Sequence, residues 1–387
     1  MNPEFAFCLA IVILIYTYVG YPLLVWVFGR WYRPLEFSKD CLPTISIVIV
    51  ACDEEKSIRR KIRELVAADY PSGRFEIVIA SDGSKDLTAK LSRDESENDQ
   101  EPKIEVIEFD DRRGKSAVLN DVIPGCRGEI IILSDVRQRF NAGALRALVA
   151  PFSSPEIGAV GGELVFVEID EDGSEIRRGM TAYWRYEKFI RASESRLYST
   201  VGVSGAIYAI RRALYEPIPD EMILDDVLIP MRIVRKGFRV ILVSDAQAYD
   251  RVSLTAKTEF ERKVRTIAGN FQLFSNEPWL LLPWANPIWW QTVSHKLCRL
   301  LSPAFLLIAI ASSAFLINDT LFAGAFAIQL VFYGAALIGY GVKRRDYDLK
   351  WLNIPYTFCL LNWATVIAFW RFIRGQQRVT WNITHVR

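Results

Sequence analysis

The chain lacks an excess of charge of either sign. Its 387 residues include 47 Lys and Arg against 45 Asp and Glu, which gives a formal net charge of +2. Because nucleic-acid-binding domains carry a marked basic excess, this balance argues against nucleic acid as a partner. The 6 cysteines are scattered and include no CxxC pair. A disulfide or zinc framework is therefore not expected, and the thiols are predicted to be reduced.

Charge is also missing from the whole stretch Phe5–Phe28. At about 1.5 Å per helical residue, this stretch is long enough to cross a hydrocarbon core of about 30 Å. Arg30 and Arg33 follow it, so the positive-inside rule predicts an N-terminus outside the cell and a cytosolic location for the residues after it. Because no basic leader or small-residue cleavage pattern is found, residues 1–30 are interpreted as a retained membrane anchor.

Three further apolar stretches lie near the other end of the chain, at Pro303–Ile317, Leu321–Val342 and Trp351–Trp370. They predict two or three membrane helices within residues 301–373, and the alternative is that they are buried helices of a soluble domain. Three crossings would place the basic tail, residues 374–387, outside, against the positive-inside rule. The first stretch is the shortest and is therefore expected to be re-entrant or interfacial.

The segment between the middle of the chain and these stretches is rich in Trp and Pro. It contains "EPWLLLPWANPIWWQTVSHKL", and since indoles favour the headgroup zone of a bilayer, residues 276–300 are predicted to form interfacial helices. His295 lies within it beside Lys296. We interpret this histidine as a polar surface group and not as a metal ligand.

Residues 43–275 have a different pattern, in which apolar strands alternate with amphipathic helices. "TISIVIVA" is a β-branched run typical of a strand that is buried on both faces, and "EEKSIRRKIRELVAADYP" after it has helical spacing. "FEIVIASD", "KIEVIEF" and "EIIILSD" continue the alternation. The pattern predicts an α/β domain with a parallel, doubly wound sheet, in which ligands bind beyond the carboxyl ends of the strands.

A glycine-rich phosphate loop of the Walker or dinucleotide-binding type is absent from this region, which argues against a kinase, ATPase or dehydrogenase. Acidic residues instead follow successive strands: Asp53 and Glu54 the first, Asp82 the second and Asp135 the fourth. Basic residues including Lys115 follow the third strand. Acidic and basic groups at neighbouring strand ends predict a site for phosphate and a metal ion.

Seven motifs occur in a defined order along the chain: "ACDEEKSI", "ASDGSKD", "RRGKSAVLND", "LSDVRQRF", "GVSGAIYAIRR", "ILDDVLIPMR" and "RKVRTIAGNFQ". Together they resemble the membrane-embedded inverting glycosyltransferases of family 2, a group that includes cellulose, chitin and hyaluronan synthases. The resemblance covers nearly the whole chain. It implies a nucleotide-sugar-binding domain of GT-A-like fold at residues 43–275, joined to interfacial and transmembrane helices.

The resemblance also implies roles for the residues at the strand ends. Asp53 or Glu54, together with Asp82, would contact the uracil and ribose of a nucleotide-sugar, and Lys115 would lie near its diphosphate or sugar. Asp135 matches the first acid of the DxD motif, which holds ribose and metal, so Mg²⁺ or Mn²⁺ is the implied cofactor.

The remaining implied residues serve the transfer itself. An inverting transfer needs a carboxylate that takes the proton of the acceptor hydroxyl, and positive charge on the departing diphosphate. The resemblance gives the first role to Asp226. It places the acceptor at Ser204 and Gly205 with Asp225 beside them, and it assigns Arg262 and Arg265 to the diphosphate through the Q/R-x-x-R-W motif.

Three positions depart from the family pattern. Arg137 replaces the second acid of DxD, Thr266 replaces the motif's Trp, and Asp225 replaces the more usual Glu before the base. Two consequences of Arg137 stay open: a metal held by fewer protein carboxylates, or an arginine charge that takes over part of the metal's role. Thr266 weakens the expectation of long-chain synthesis, because the missing Trp helps to form the acceptor end in processive relatives.

The sequence therefore predicts an integral protein of the cell or inner membrane whose catalytic domain is cytosolic. It would transfer a sugar, expected to come from a UDP-sugar, to a growing polysaccharide or another glycan or lipid-linked acceptor. The alternatives are a non-processive transferase that forms a glycolipid and a catalytically inactive relative that binds nucleotide-sugar. Membrane lipids and accessory export proteins are the further partners that the resemblance implies. Trp381, Thr384 and Arg387 in the basic tail resemble the family's W-x-T-x-R-like terminus.

Overall fold

A mixed β-sheet forms the centre of the computed structural model, which describes residues 2–32, 35–38, 40–97, 101–169, 175–177, 182–251, 256–345 and 349–376. The strands are β1 (Ile45–Ala51), β2 (Phe75–Asp82), β3 (Lys103–Phe109), β4 (Ile130–Ser134), β5 (Arg139–Phe140), β6 (Ile157–Ile169), β7 (Glu175–Arg177), β8 (Ile207–Arg211) and β9 (Arg239–Arg251). Their order in the sheet is β3-β2-β1-β4-β8-β6-β9-β5, and β7 pairs with β6.

The helices on either side of the sheet and beyond it are α1 (Pro3–Ile15), α2 (Tyr21–Gly29), α3 (Ile58–Val66), α4 (Thr88–Ser96), α5 (Lys115–Val122), α6 (Ala144–Val149), α7 (Ala182–Leu197), α8 (Asp225–Arg235), α9 (Ala256–Asn276), α10 (Trp289–Gln291), α11 (Cys298–Phe315), α12 (Thr320–Lys343) and α13 (Asn353–Ile373). A π-helical turn, Tyr16–Gly20, joins α1 to α2, and another, Thr292–Leu297, joins α10 to α11.

The first four strands confirm the doubly wound α/β prediction. β1 pairs in parallel with β2 on one side and with β4 on the other, and β2 pairs in parallel with β3. Successive side chains of a strand point to opposite faces. Ile47 accordingly packs with Ile62 of α3 in one core cluster, whereas Val48 belongs to the opposite cluster with Val118 of α5. Helices therefore cover both faces, and the strand ends meet at one edge.

The second half of the sheet departs from an all-parallel arrangement. β8 is antiparallel to β4 and to β6, β9 is parallel to β6, and β5 is antiparallel to β9. In the antiparallel pair Ser134 lies opposite Ile207. The start of β8 consequently lies beside the end of β4, and the loop before β8 reaches the edge where the parallel strands end. This reversal joins the two halves of the site.

Four helical segments of the described residues are long and apolar enough to cross a membrane: Pro3–Gly29, Trp289–Phe315, Thr320–Lys343 and Lys350–Ile373. The second of them includes most of Pro303–Ile317. This helix of 27 residues begins at Trp289 and ends at Phe315, so its length allows a crossing, and the expectation that the stretch is re-entrant or interfacial stays a prediction. Arg299, which delimits the apolar stretch in the sequence, donates to Glu187 of α7 at 2.7 Å within the folded protein.

The interpretation of His295 as a surface group is wrong, since only 1% of its surface is exposed. Its Nδ1 lies 2.7 Å from Glu194 Oε1 and its Nε2 lies 2.8 Å from Glu187 Oε1. The Tyr21 hydroxyl donates to the same Glu194 oxygen at 2.5 Å. A buried histidine needs such partners, and the two carboxylates lie about a hundred positions earlier in the chain, where sequence spacing could not reveal them. The cluster fastens α2 and the Trp289–Phe315 helix to α7.

The last apolar helix packs against the central domain. Ala364 and Ala368 of α13 form a small core with Val264 and Ala268 of α9. Small residues allow the two helices to approach closely, so α9 is held along α13. Most of the basic tail, residues 377–387 with Trp381, Thr384 and Arg387, lies outside the described residues.

Candidate active site

Two adjacent carboxylates, Asp225 and Asp226, begin α8 at the edge where the sheet's strands end. The N-terminus of a helix carries a partial positive charge, which favours carboxylates in its first turn. The Asp226 Oδ2 accepts the backbone N–H of Gly205 at 3.0 Å. A Cβ added at Gly205 would lie 3.3 Å from that oxygen, so glycine leaves room for the bond. The loop before β8 thereby orients the Asp226 carboxylate.

Asp226 has a raised pKa in the folded protein. Burial, followed by the charge of Asp225, raises the pKa of Asp226 to about 6. The charges of Lys115 and Arg191 and the N–H of Gly205 act in the opposite direction. A general base is most effective when its pKa is close to the working pH, because it is then both ionised and basic. The raised pKa is compatible with the base role that the resemblance implies for Asp226, and that role stays a prediction.

Lys115 connects the acids of β4 and α8. Its Nζ lies 3.0 Å from Asp135 Oδ1 and 3.5 Å from Asp225 Oδ2, and its side chain is only 13% exposed. Burial lowers the pKa of Lys115, but these two carboxylates outweigh burial and raise it above its ordinary value. The ammonium group is therefore a permanent positive charge between Asp135, after β4, and the acids of α8.

Asp82 positions the loop that carries Lys115. It is 3% exposed, and its Oδ1 accepts the Arg113 N–H at 2.6 Å while its Oδ2 accepts the Gly114 N–H at 2.9 Å. Gly114 has a φ of 95°, a left-handed conformation that glycine adopts without strain. The sequence predicts that Asp82 contacts the nucleotide; in the structure both of its oxygens bind the backbone that leads into α5.

Asp53 and Glu54 follow β1 and are both tied to neighbouring loops. The Asp53 Oδ1 accepts the Lys85 N–H at 2.7 Å, and the Glu54 Oε1 accepts from Arg137 Nε at 2.6 Å. Arg137 is the residue that stands in place of the second acid of DxD. Because Glu54 lies beside it, the arginine is partly neutralised and joins the ends of β1 and β4.

The carboxylates around Asp135 are too few to bind a metal ion without ligands from outside the protein. Among the residues that the structure describes, no group of three or more His, Cys, Asp or Glu side chains is placed to hold one. The nearest cationic group to Asp135 is the Lys115 ammonium, and Arg137 occupies the second DxD position. Divalent ions such as Mg²⁺ need about six oxygen ligands. Any such ion at Asp135 would have to take most of its ligands from the donor's phosphates and from water.

We predict that Arg137→Asp strengthens Mn²⁺ binding at this strand end. The substitution removes a cation and adds a carboxylate close to Asp135 and Glu54, which are oxygen ligands of the kind that Mn²⁺ accepts. Titration of Mn²⁺ into the purified protein, followed by electron paramagnetic resonance, should show at least about tenfold tighter binding. Arg137→Ala is the matched control, because it breaks the same ion pair without adding a ligand. Equal affinities for both variants would contradict the prediction.

α9 carries both of the arginines that the resemblance assigns to the diphosphate. Arg265 is half-buried, and burial lowers its pKa. The charges that oppose this effect come from Asp225, Asp226 and Asp135, so the guanidinium lies within the electrostatic field of the three acids. Arg262 is exposed, and so is Thr266, whose hydroxyl donates to the Arg262 carbonyl at 3.0 Å. The two arginines therefore differ: the acids act on the charge of Arg265, whereas Arg262 faces solvent.

Several residues of the site were not found by sequence reasoning. Gln272 of α9 accepts the Ile223 N–H at 3.0 Å and so fixes the loop that leads into α8. The Tyr208 hydroxyl of β8 donates to Asp225 at 3.4 Å, and burial raises the pKa of this phenol well above its ordinary value. Arg191 of α7 donates to the Gly202 carbonyl at 3.4 Å. Gln272 and Tyr208 lie inside the quoted motifs, whereas nothing in the sequence singles out Arg191.

The sequence of this region matches the profile of the family described as glycosyl transferase family 2, over residues 46–218. Residues 46–218 are a glycosyltransferase family 2 domain. The family 2 domain thus contains β1 to β8 and the acids Asp53, Asp82 and Asp135, while Asp226 and α9 follow it in the chain.

Relatives of known name support the same family. Over 147 residues the chain is 31% identical to beta-monoglucosyldiacylglycerol synthase of Trichormus variabilis. The aligned region covers 37% of this chain and 31% of that protein. It is 22% identical over 273 residues to poly-beta-1,6-N-acetyl-D-glucosamine synthase of Staphylococcus aureus, covering 65% and 64% of the two chains. The chain thus spans less than two thirds of the length of either relative.

The fold extends this likeness to almost the entire chain. The mannosyltransferase PcManGT of Pyrobaculum calidifontis, solved in complex with GDP-Man and Mn²⁺, superposes with a TM-score of 0.71 and covers 96% of this chain and 99% of its own. The two sequences are 19% identical, so the comparison establishes the fold. The expected GT-A type of the domain is confirmed, with a sheet that is mixed in its second half.

Proposed function

We propose that the chain is a membrane-bound inverting glycosyltransferase that transfers a sugar from a nucleotide-sugar, specifically a UDP-sugar, to a growing polysaccharide or other glycan acceptor. The observation that carries the proposal is the Asp226 carboxylate, which is oriented by Gly205 and has a pKa raised to about 6. An enzyme of this class needs one carboxylate of this kind beside its acceptor. The acceptor would lie along Ser204 and Gly205, next to that oxygen.

The reaction would proceed as a single displacement. Asp226 takes the proton of the acceptor hydroxyl while the hydroxyl oxygen attacks the anomeric carbon from the face opposite the diphosphate. The bond from that carbon to the diphosphate breaks, and UDP departs with the electron pair. Lys115 and Arg265 supply fixed positive charge where the negative charge of the diphosphate grows, which stabilises the transition state. Asp82 and Gly114 keep Lys115 in place through the loop before α5.

The membrane location rests on the four apolar helices and on how they meet the catalytic domain. The apolar helix α13 packs on α9, which also carries Arg265, so one of the apolar helices contacts an element of the candidate site directly. Arg30 and Arg33, which follow the first apolar stretch in the sequence, support a cytosolic catalytic domain. A cytosolic domain has access to nucleotide-sugars, and the acceptor would be at or in the cell or inner membrane.

A panel of nucleotide-sugars tests the proposal. Purified protein in lipid nanodiscs, supplied with membrane extract as acceptor and with Mg²⁺ or Mn²⁺, should release UDP from one or a few UDP-sugars. The anomeric configuration of the product, read by nuclear magnetic resonance, should be opposite to that of the donor. Absence of UDP release with every donor, or retention of configuration, would refute the proposed reaction.

A second candidate function is the non-processive transfer of one sugar to a lipid. Thr266 in place of the motif's Trp favours it, and the structure shows this residue exposed on α9. The relative from Trichormus variabilis, a monoglucosyldiacylglycerol synthase by name, points the same way. Product length separates the two candidates: a ladder of products indicates processive synthesis, and a single added sugar indicates glycolipid formation.

The pH dependence of the transfer follows from Asp226. This carboxylate must be ionised to accept a proton, and its pKa is raised to about 6 by burial and by Asp225. We expect kcat/KM to be half-maximal near pH 6 and to fall about tenfold for each pH unit below that, since only the ionised fraction reacts. An aspartate with an ordinary pKa would move this limb to about pH 4. A profile that is flat from pH 8 down to pH 5 would rule out Asp226 as the base.

A further inference from the structure

A cavity of about 350 Å³ lies between α7, β6 and β9, and Ser204 of the loop before β8 is part of its lining. Ser204, which precedes the Gly205 that binds Asp226, is one of its lining residues. A cavity of this size is within the range that holds small-molecule ligands. Its position on the acceptor side of the site, away from the ends of β1 and β2, suggests that it serves the acceptor.

Part of the cavity lining is apolar and lies close to the first apolar helix. Leu35 and Phe37 belong to this part and follow the end of that helix, Gly29, by six and eight positions, and Trp184 of α7 belongs to it as well. α7 touches the end of the helix at Gly29, where an added Cβ would come within 3.1 Å of the Ser193 carbonyl. With Pro3–Gly29 in the membrane, as proposed, the cavity lies where lipid headgroups are found.

The cavity lining is also basic. Lys188, Arg191, Arg196 and Arg239 belong to it, together with the acids Glu163 and Glu187. Glu163 pairs with Lys188, Glu187 pairs with Arg299 and His295, and Arg239 lies 3.8 Å from Glu156. Among the described residues, the charges of Arg191 and Arg196 are therefore left without an ion pair, and an anionic group of a ligand would complement them.

Arg191 is the basic lining residue that contacts the loop before β8. Its Nε is buried and has no hydrogen-bond partner among the described residues, and no carboxylate there forms an ion pair with its guanidinium. It donates to the Gly202 carbonyl, in the loop where the Val203 N–H donates to the Asp226 carbonyl at 2.9 Å. A buried guanidinium N–H without an acceptor is costly unless a ligand supplies one. Arg191 thus contacts the loop before β8 and still has a guanidinium N–H that can donate a hydrogen bond to a ligand.

We propose that the acceptor is an amphiphile with a phosphate group, whose apolar part lies against Leu35, Phe37 and Trp184 and whose phosphate is bound by Arg191. This inference rests on the proposed function and specifies its acceptor class. Arginine is suited to the role because its planar guanidinium can donate two parallel hydrogen bonds to a phosphate, which lysine cannot do.

Binding of three soluble probes tests the proposal on the full-length protein in nanodiscs. Dihexanoyl phosphatidic acid has both the phosphate and the chains, dihexanoylglycerol has only the chains, and glycerol 3-phosphate has only the phosphate. Isothermal titration calorimetry should show at least about tenfold tighter binding of the first probe than of either other probe. Similar affinity for dihexanoylglycerol would overturn the proposal in favour of a neutral lipid, and similar affinity for glycerol 3-phosphate would overturn it in favour of a free phosphate ester.

Variants of α7 locate the probe in the cavity. Arg191→Gln should weaken binding of dihexanoyl phosphatidic acid at least about tenfold, and Arg191→Lys should weaken it less. Ala192→Trp, at an exposed lining position, should block binding by filling the cavity without disturbing the core. Arg185→Gln is the matched control, since Arg185 is an exposed arginine on the same helix outside the cavity. Equal binding by Arg191→Gln and Arg185→Gln would refute the proposal.

Titration of UDP into the same samples separates this inference from the proposed function. We expect Arg191→Gln to bind UDP as the unaltered protein does. If the variant loses UDP affinity and retains that for the phosphatidic acid, Arg191 belongs to the donor site and the inference is refuted. If the unaltered protein binds the phosphatidic acid but no nucleotide, the proposed function fails and the lipid phosphate site stands.

Discussion

Replacing Asp226 with Asn is expected to lower kcat by a factor of about 10² to 10⁴, the usual contribution of a general base. The amide keeps the size of the side chain and its oxygen can still accept the Gly205 N–H, so the loop before β8 should hold its position. Only the capacity to take a proton is removed. The change should therefore appear in kcat and not in UDP affinity, measured by calorimetry on the same preparation.

Glu221→Gln is a suitable control for this experiment. Glu221 lies in the loop before α8 and is exposed, so its replacement changes the charge near the site without touching the base. We expect activity close to that of the unaltered protein. Residual activity of Asp226→Asn should also lose the acidic limb near pH 6. An active Asp226→Asn variant with the limb intact would assign the base to another group.

The second large effect is expected for Arg265→Gln. Loss of one group that stabilises developing charge typically costs a factor of about 10² to 10³ in kcat. Arg265 is half-buried and lies in the field of Asp135, Asp225 and Asp226, where water screens its charge poorly. Steady-state assays with a UDP-sugar should therefore show a kcat defect, with a smaller effect on acceptor KM.

Arg262→Gln is the variant to compare with Arg265→Gln, because the structure shows different surroundings for the two arginines. The resemblance assigns both arginines to the diphosphate, but Arg262 is exposed whereas Arg265 is directed toward the acids. We expect the fold-loss in kcat caused by Arg262→Gln to be smaller than that caused by Arg265→Gln by a factor of about ten or more. Similar defects for the two variants would show that α9 shifts on donor binding and brings Arg262 into the site. A severe defect for Arg262→Gln alone would contradict the placement of Arg265.

The ion pair between Arg137 and Glu54 bears on the two consequences that the sequence left open for Arg137. The guanidinium Nε lies 2.6 Å from Glu54, so its charge is partly neutralised before any donor arrives. Lys115, 3.0 Å from Asp135, is the better placed cation. We therefore expect Lys115 and Arg265, more than Arg137, to balance the charge of the diphosphate.

Sequence reasoning placed acidic residues at the strand ends because their position depends only on the local sequence. A run such as Ile45–Ala51 is buried on both faces and must end at a polar residue, so Asp53, Asp82 and Asp135 could be placed at one edge of the sheet from the chain order alone. The motif "ILDDVLIPMR" likewise identifies Asp226 from adjacent residues. The apolar stretches that can cross a membrane are also a property of consecutive residues.

The antiparallel half of the sheet could not be predicted in the same way. Strand direction in β8 depends on which edge of β4 is free once β1, β2 and β3 are paired, and that is a property of the assembled sheet. Only this reversal brings Gly205 to Asp226, which lies 21 positions later in the chain. The same holds for His295, whose burial depends on two glutamates of α7.

The sequence by itself determined the α/β class, the four apolar segments and the residue types that can bind a nucleotide-sugar, because each is encoded in short, contiguous patterns. The tertiary structure decided which of those residues act together. Lys115 lies between Asp135 and Asp225, Arg137 is bound to Glu54, and Arg265 but not Arg262 lies near the acids. These pairings set the distribution of charge in the candidate site, and they depend on distances across the fold that no sequence spacing contains.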